Sequence, residues 1–112
     1  MDNRKLRIAL QKLPGLYEMD GKRGDTPATY VFTPDAGATW VLWEYDKEED
    51  MAFGLCDLGM GFPEIGYVSV PELERLRGGL GLPVEVDKSI STRFEGYRRA
   101  GVEVPDYLQE VK

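Results

Sequence analysis

The sequence predicts an α+β fold: an antiparallel β-meander of four to five strands with an N-terminal helix and short C-terminal helices. Two observations carry this prediction. Four segments between residues 29 and 70 are rich in β-branched and aromatic residues, and short turns separate them, as is typical of sequential antiparallel strands. Segments with helical spacing or helix-capping residues lie on both sides of this region. With 112 residues and no internal repeats, we expect a single domain over residues 1–112.

The first helix is predicted from apolar residues that recur every three or four positions. Asp2 or Asn3 can cap its start, and Pro14 with Gly15 ends it. The following residues, 18–27, are rich in glycine and charge without periodicity, which predicts a charged loop. The apolar residues of the helix are Leu6, Ala9, Leu10 and Leu13.

The strands are predicted from runs of residues that favour extended backbone. The run at 39–46 carries a tryptophan on each face, Trp40 and Trp43, so we expect both faces to be covered over its first half. A short run before residue 88 predicts a fifth strand at the edge of the sheet. The predicted strands span residues 29–33, 39–46, 51–58, 64–70 and 83–87.

Two short helices are predicted in the second half of the chain. Residues 71–77 begin with proline and acids and end with basic residues, and Gly78 stops them. Thr92 and Glu95 have the spacing of a capping box and open a last helix that Gly101 closes. Residues 105–112 are predicted to form a loosely held tail.

Composition restricts the chemistry that the protein can perform. The chain contains no histidine and a single cysteine, Cys56, which we expect to be a small buried side chain rather than a nucleophile. No cofactor is expected. Twenty acidic and 14 basic residues give a net charge of −6, which makes binding to nucleic acid unfavourable. No segment has the pattern of a signal peptide or a membrane span, so we expect a cytoplasmic protein without membrane contact.

Six fragments occur in a characteristic order. Together they resemble the domain of unknown function 2958 family, small bacterial proteins found on plasmids and conjugative elements, over residues 13–88. The helix at residues 4–12 and the helical segment after residue 88 lie outside this resemblance. The fragments are LPGLY at 13–17, VFTPD at 31–35, ATW at 38–40, FGL at 53–55, PEIGYVSVPELE at 63–74 and GLGLPVEVD at 79–87.

The resemblance implies a compact domain carried by a mobile genetic element. Such a setting is compatible with DNA maintenance, conjugation or resistance to host defence. The family has no established activity, so the resemblance implies no functional residue.

An acidic block, in which Lys47 is the one basic residue, spans the end of the second predicted strand and the turn that leads to the third. Together with Trp40 and Trp43, it is the expected partner-binding surface. Because short helices cover one face of a meander better than the other, we also expect the second face to meet a partner, most simply a second copy in a homodimer. The acidic residues are Glu44, Asp46, Glu48, Glu49 and Asp50.

Two other classes of function remain open. Asp35, Glu44 and Asp46 can hold a divalent metal in a nuclease or hydrolase, although the chain lacks the acid-x-Lys step of such enzymes at residues 44–47. A single-stranded nucleic-acid binder would stack bases on the aromatic residues beside Arg93, Arg98 and Arg99, against the net charge.

The sequence therefore favours a protein that binds rather than catalyses. We expect a non-enzymatic protein-interaction module of a mobile genetic element, serving as an anti-defence or DNA-maintenance accessory. Its protein partner is not identified by the sequence.

Overall fold

The protein is built on a five-stranded antiparallel sheet. The computed structural model describes residues 3–16 and 24–109. Strands follow the order β4-β3-β2-β1-β5, so β5 crosses to the edge opposite β4 instead of extending the meander beyond it. The predicted α+β class is confirmed. The elements are α1 (Arg4–Gln11), β1 (Thr29–Phe32), β2 (Thr39–Asp46), β3 (Met51–Asp57), β4 (Glu64–Ser69), α2 (Val70–Arg75), β5 (Glu85–Val86), α3 (Arg93–Arg99) and a 3₁₀ turn (Asp106–Leu108).

Side chains cap the start of each α-helix, and the caps of the first and last helices lie where the sequence predicts them. The Asn3 side chain accepts a hydrogen bond from the backbone N–H of Leu6, and Ser69 caps α2 in the same way. In the predicted capping box, Thr92 accepts from the backbone N–H of Glu95, whose carboxylate accepts from the Thr92 hydroxyl. Each cap satisfies an N–H that the first helical turn leaves without a partner.

Helices α1 and α2 cover one face of the sheet, called the first face. Their apolar side chains pack on the side chains that β2 directs toward them, together with Val31 from β1 and Val84 before β5. This is the amphipathic packing that the spacing of α1 predicts. The buried helical residues are Leu6 and Leu10 from α1 and Val70 and Leu73 from α2.

Helix α3 covers only part of the opposite, second face. It contacts β2 and β1, and Gly96 lets it approach so closely that a Cβ there would lie 2.6 Å from Cγ1 of Val41. Tyr97 of the helix packs against Trp43 of β2 with the two ring centroids 6.1 Å apart. The β3–β4 half of this face receives less cover: Leu55 is buried there, whereas Ile65 and Tyr67 reach the surface.

A β-bulge in β2 changes which residues face each side of the sheet. The register with β3 shifts between Leu42 and Glu44, so Tyr45 joins Trp40 and Leu42 in the core of the first face. Strict alternation along 39–46 would have placed Tyr45 on the opposite face from Trp40. The alternation predicted from the sequence is therefore wrong after position 42, because the bulge inserts one extra residue into the strand.

Two predicted irregular segments are partly ordered by contacts. Of the predicted loop at 18–27, residues 18–23 lie outside the described residues, whereas Asp25 accepts from the backbone N–H of Phe94 and Pro27 bridges to Thr92. In the predicted tail at 105–112, residues 106–108 form a 3₁₀ turn and the side chain of Leu108 is buried. Residues 110–112 lie outside the described part.

Gly54 and Gly66 face each other across β3 and β4 and form a matched pair for testing the bulge. A Cβ at Gly54 would overlap the carbonyl oxygen of Val41 and lie 2.8 Å from Cα of Leu42, whereas a Cβ at Gly66 would meet nothing within 4 Å. We predict that Gly54→Ala lowers the free energy of unfolding by about 2–3 kcal/mol because the strands must separate. Gly66→Ala should change it by less than about 0.5 kcal/mol in urea denaturation. Equal effects would contradict the close approach.

Candidate functional site

An apolar patch lies on the second face where α3 does not reach. We call it the β4 patch and define it as Phe53, Ile65 and Tyr67. Ile65 is 46% exposed and Tyr67 is 48% exposed, while Phe53 is half-buried. The rings of Phe53 and Tyr67 pack with centroids 4.9 Å apart and planes inclined at 60°. The patch is therefore a fixed aromatic surface across two strands.

The patch borders the free edge of the sheet. β4 is six residues long and pairs with β3 on one side, and among the described residues no strand pairs with its other side. Gly66 in its middle has open space where a side chain would stand. Backbone N–H and C=O groups along such an edge can accept a further strand.

The β3–β4 connection extends this apolar surface beyond the start of β4. Leu58, Met60 and Phe62 are all exposed, Phe62 to 79%. Gly59 and Gly61 alternate with them and have positive φ angles of 78° and 84°. This backbone conformation, which favours glycine, holds the connection in a tight path with its apolar side chains directed outward.

Acidic residues lie at both ends of β4. Glu64 begins the strand beside Asp57, and the β2–β3 turn lies next to its other end, where Met51 pairs with Ser69. We call Asp46, Glu48 and Glu49 the acidic turn. The carboxylate of Asp46 accepts from the backbone N–H groups of Glu48 and Glu49, which fixes the turn. The patch is thus an apolar stretch between two negative ends.

Asp50 has a structural role that separates it from the acidic turn. Its φ of 54° is in the left-handed region, which is strained for a residue with a side chain. Its carboxylate accepts from Arg7 and from the hydroxyl of Tyr45, the latter at 2.7 Å. Arg7 also binds both carboxylate oxygens of Glu74, with its Nε 3.0 Å from Oε2. These four residues join α1, the turn and α2.

The charges in this network shift the pKa values of its members. The hydrogen bonds from Arg7 hold the pKa of Asp50 and of Glu74 below their ordinary values, and the same bonds raise the pKa of Arg7. Burial raises the pKa of Tyr45. Glu74 is buried, so its negative charge depends on Arg7 and on the backbone N–H of Asn3 for compensation.

The structure corrects part of the predicted partner surface. Trp40 is 4% and Trp43 is 3% exposed, and Glu44 is also buried, so none of them offers a surface to a partner. Trp40 is covered by the first-face helices, whereas Trp43 and Tyr97 are covered by the side chain of Arg93. Asp46, Glu48 and Glu49 remain at the surface.

Neither Ile65 nor Tyr67 belongs to the partner surface predicted from the sequence. Their exposure follows from the edge position of β4 and the short reach of α3. Neither can be recognised from the alternation of residues 64–69, which is the same for an edge strand and a central one.

The three carboxylates proposed for a metal site are not brought together. Asp35 lies in the β1–β2 turn, before the start of β2, and Asp46 lies at the end of that eight-residue strand, a span of roughly 23 Å. Asp35 instead accepts from the backbone N–H groups of Leu80 and Leu82 and ties their loop to the sheet. Within residues 3–16 and 24–109, no group of three or more His, Cys, Asp or Glu residues can hold a metal ion.

Of the three arginines on the last helix that the nucleic-acid alternative would use, two are already engaged within the protein. The guanidinium carbon of Arg93 lies 3.5 Å from the Trp43 ring centroid, and the side chain is buried there and donates to the Tyr97 hydroxyl. Arg99 forms an ion pair with Asp87 at 3.1 Å. Arg98 alone of the three named arginines keeps an exposed side chain without a described ion pair.

A family model described as "Protein of unknown function (DUF2958)" matches residues 4–99. The chain belongs to the DUF2958 family. The match includes α1 and α3, so the family region is wider than the resemblance over 13–88 indicates. No curated protein and no solved structure matches this chain. In the described part of this DUF2958 protein, no helix has the length and apolar character needed to cross a membrane.

We predict that Arg7→Met lowers the free energy of unfolding by about 3 kcal/mol, because it leaves Glu74 buried without its cation. Arg4→Met is the matched control: it changes an exposed arginine of the same helix that forms no described ion pair, and it should cost less than about 0.5 kcal/mol. Urea denaturation measures both. If the two variants lose the same free energy of unfolding, the ion-pair network of Arg7 does not contribute to stability.

The network also predicts how stability depends on pH. Because the folded pKa values of Asp50 and Glu74 are lowered, their contribution is complete above the unfolded values of about 4 and is lost as the pH falls through the folded values. The wild-type protein and the Arg7→Met variant should therefore converge in stability as the pH falls from about 6 to below about 3. Denaturation midpoints across that range measure this. A stability difference that does not change with pH would contradict the assignment.

Proposed function

We propose that this DUF2958 protein is a non-enzymatic interaction module that binds an extended, basic segment of another protein along β4. The observation that carries the proposal is the juxtaposition of three features: a sheet edge that pairs with no described strand, the β4 patch, and acidic residues at both ends of the strand. Each of these features recognises a different property of the bound segment.

The sheet edge supplies the backbone part of recognition. A partner strand laid against β4 forms main-chain hydrogen bonds that do not depend on its sequence. Alternate side chains of that strand point to the second face, where Phe53, Ile65 and Tyr67 already present an apolar surface. The partner should therefore carry apolar residues at every second position.

The charges favour a basic partner over a second copy of this chain. Two β4 strands paired antiparallel would place Glu64 of one copy near the acidic turn of the other, because that turn lies beside Ser69. Parallel pairing would place acidic turn against acidic turn. Lysine or arginine residues flanking an apolar strand would instead meet opposite charge at both ends. The homodimer expected from the sequence is thus the less favourable occupant of this edge.

The biological setting of the proposal comes from the family resemblance. We propose that the module acts in the cytoplasm as an accessory of a mobile genetic element, in defence against host immunity or in DNA maintenance. The binding chemistry of β4 does not depend on this setting, so the two parts can be tested separately.

Selection from a display library of short random peptides tests the binding mode. We predict enriched peptides with alternating apolar residues bounded by lysine or arginine, and at least about tenfold weaker binding of these peptides to Ile65→Ser/Tyr67→Ser. Ile8→Ser/Tyr107→Ser is the matched control, because it removes the same side-chain types from exposed positions outside the β4 patch. Calorimetric titration of a selected peptide gives the affinities.

The charge component has its own variant in the same titration. Glu48→Gln/Glu49→Gln should weaken binding of the selected peptide by roughly threefold to tenfold at low salt and by less at high salt. Peptides that lack basic residues, or that bind the Ile65→Ser/Tyr67→Ser variant as tightly as the wild-type protein, would refute the proposal.

A further inference from the structure

A groove on the far side of the molecule from β4 has a different character. It runs between α1 and the chain around β5, has a volume of about 460 Å³, and is called the α1 groove. This volume is within the usual range for sites that hold small molecules. Its apolar lining comes from Ile8, Ala9, Leu13, Pro27, Ala28, Val86 and Ile90.

The charged residues of the α1 groove are predominantly basic, although the chain as a whole carries a net charge of −6. Lys5, Lys12 and Lys88 line it, and the single acidic residue in its lining is Asp87. Asp87 is already engaged: its carboxylate accepts from the hydroxyl and backbone N–H of Ser89 and pairs with Arg99. Among the described residues, none of the three lysines forms an ion pair.

A second groove of about 810 Å³ continues from the first toward the start of α1. Lys5 and Lys88 line both grooves and so lie at their junction. Arg4 and Arg77 add further positive charge to the second groove. Its acidic lining residues are Glu74, which Arg7 compensates, Asp87, which pairs with Arg99, and Glu85. Positive charge is therefore concentrated where the two grooves meet.

We propose that the α1 groove binds a small amphipathic anion: a ligand whose apolar body lies on Ile8, Val86 and Ile90 and whose phosphate or carboxylate group is bound by Lys5 and Lys88. Selective binding needs both the apolar lining and the lysines, because the apolar lining alone would accept any hydrophobic molecule. The lysines supply the selectivity for an anionic group. This site is independent of the β4 edge.

Titration with 8-anilinonaphthalene-1-sulfonate, an aromatic anion, tests the site directly. Amide shifts in NMR spectra should change at Ala9, Val86 and Lys88 and not at Tyr67. Lys5→Gln/Lys88→Gln should weaken binding at least about tenfold. Lys47→Gln/Arg75→Gln is the control: it removes the same charge from exposed residues that do not line either groove, and it should change binding less than about twofold.

Three further probes separate the parts of the ligand. The neutral analogue N-phenyl-1-naphthylamine should bind at least about tenfold more weakly than the sulfonate if the lysines select an anion. Adenosine monophosphate and decanoate then distinguish an aromatic phosphate from an aliphatic carboxylate, and binding of either one with shifts at Ala9 and Val86 supports the site. Equal affinity of the lysine variant and the wild-type protein for the sulfonate, or shifts centred on the β4 patch, would overturn the proposal.

Discussion

Arg7 is the point at which three distant parts of the chain are held together. Its guanidinium group binds Asp50, 43 residues away, and Glu74, 67 residues away. The buried Glu74 could not keep its charge at this position without a fixed cation, since the cost of removing a carboxylate from water must be balanced by pairing and hydrogen bonds. The two ion pairs fix the β2–β3 turn, which lies beside the end of β4, and α2, which follows β4 in the chain. β4 is therefore positioned by its pairing with β3 and by these two contacts at its end.

The distribution of cover over the sheet explains where its surface is available. Two helices pack on the first face, whereas the second face has α3 and the chain that follows it. α3 contains seven residues, too few to reach across five strands. Gly96 brings it close to Val41, which improves cover over β1 and β2 but does not extend it toward β4. The apolar residues of the outer strands consequently stay at the surface.

The local elements could be predicted from the sequence because each has a local cause. The bounds of β2 agree with the prediction at 39–46, and the Asn3 and Thr92 caps lie where short polar side chains precede helical segments. Properties that depend on neighbours in space could not be predicted. A single inserted residue at the bulge moves Tyr45 to the other face, and no residue type in β2 marks that insertion.

The candidate site was only partly predictable for the same reason. Nothing in the sequence distinguishes Arg93 from the solvent-exposed arginines of the last helix. In the structure its guanidinium group stacks on the Trp43 ring, since a cation is attracted to the face of an aromatic ring. Asp50 belongs to a run of acids, and its contacts with Arg7 and Tyr45, rather than its residue type, separate it from Glu48 and Glu49. Which strand forms the edge is decided by the order of the whole sheet.

The edge strand β4, whose outer side pairs with no described strand, has a consequence for the protein at high concentration. An open edge bordered by aromatic side chains is a template on which identical chains can stack into fibrils. Glu64 at one end and the acidic turn at the other act as gatekeepers, because stacking would bring like charges into register at every added layer. The same carboxylates that would attract a basic segment would thus also oppose the stacking of this chain on copies of itself.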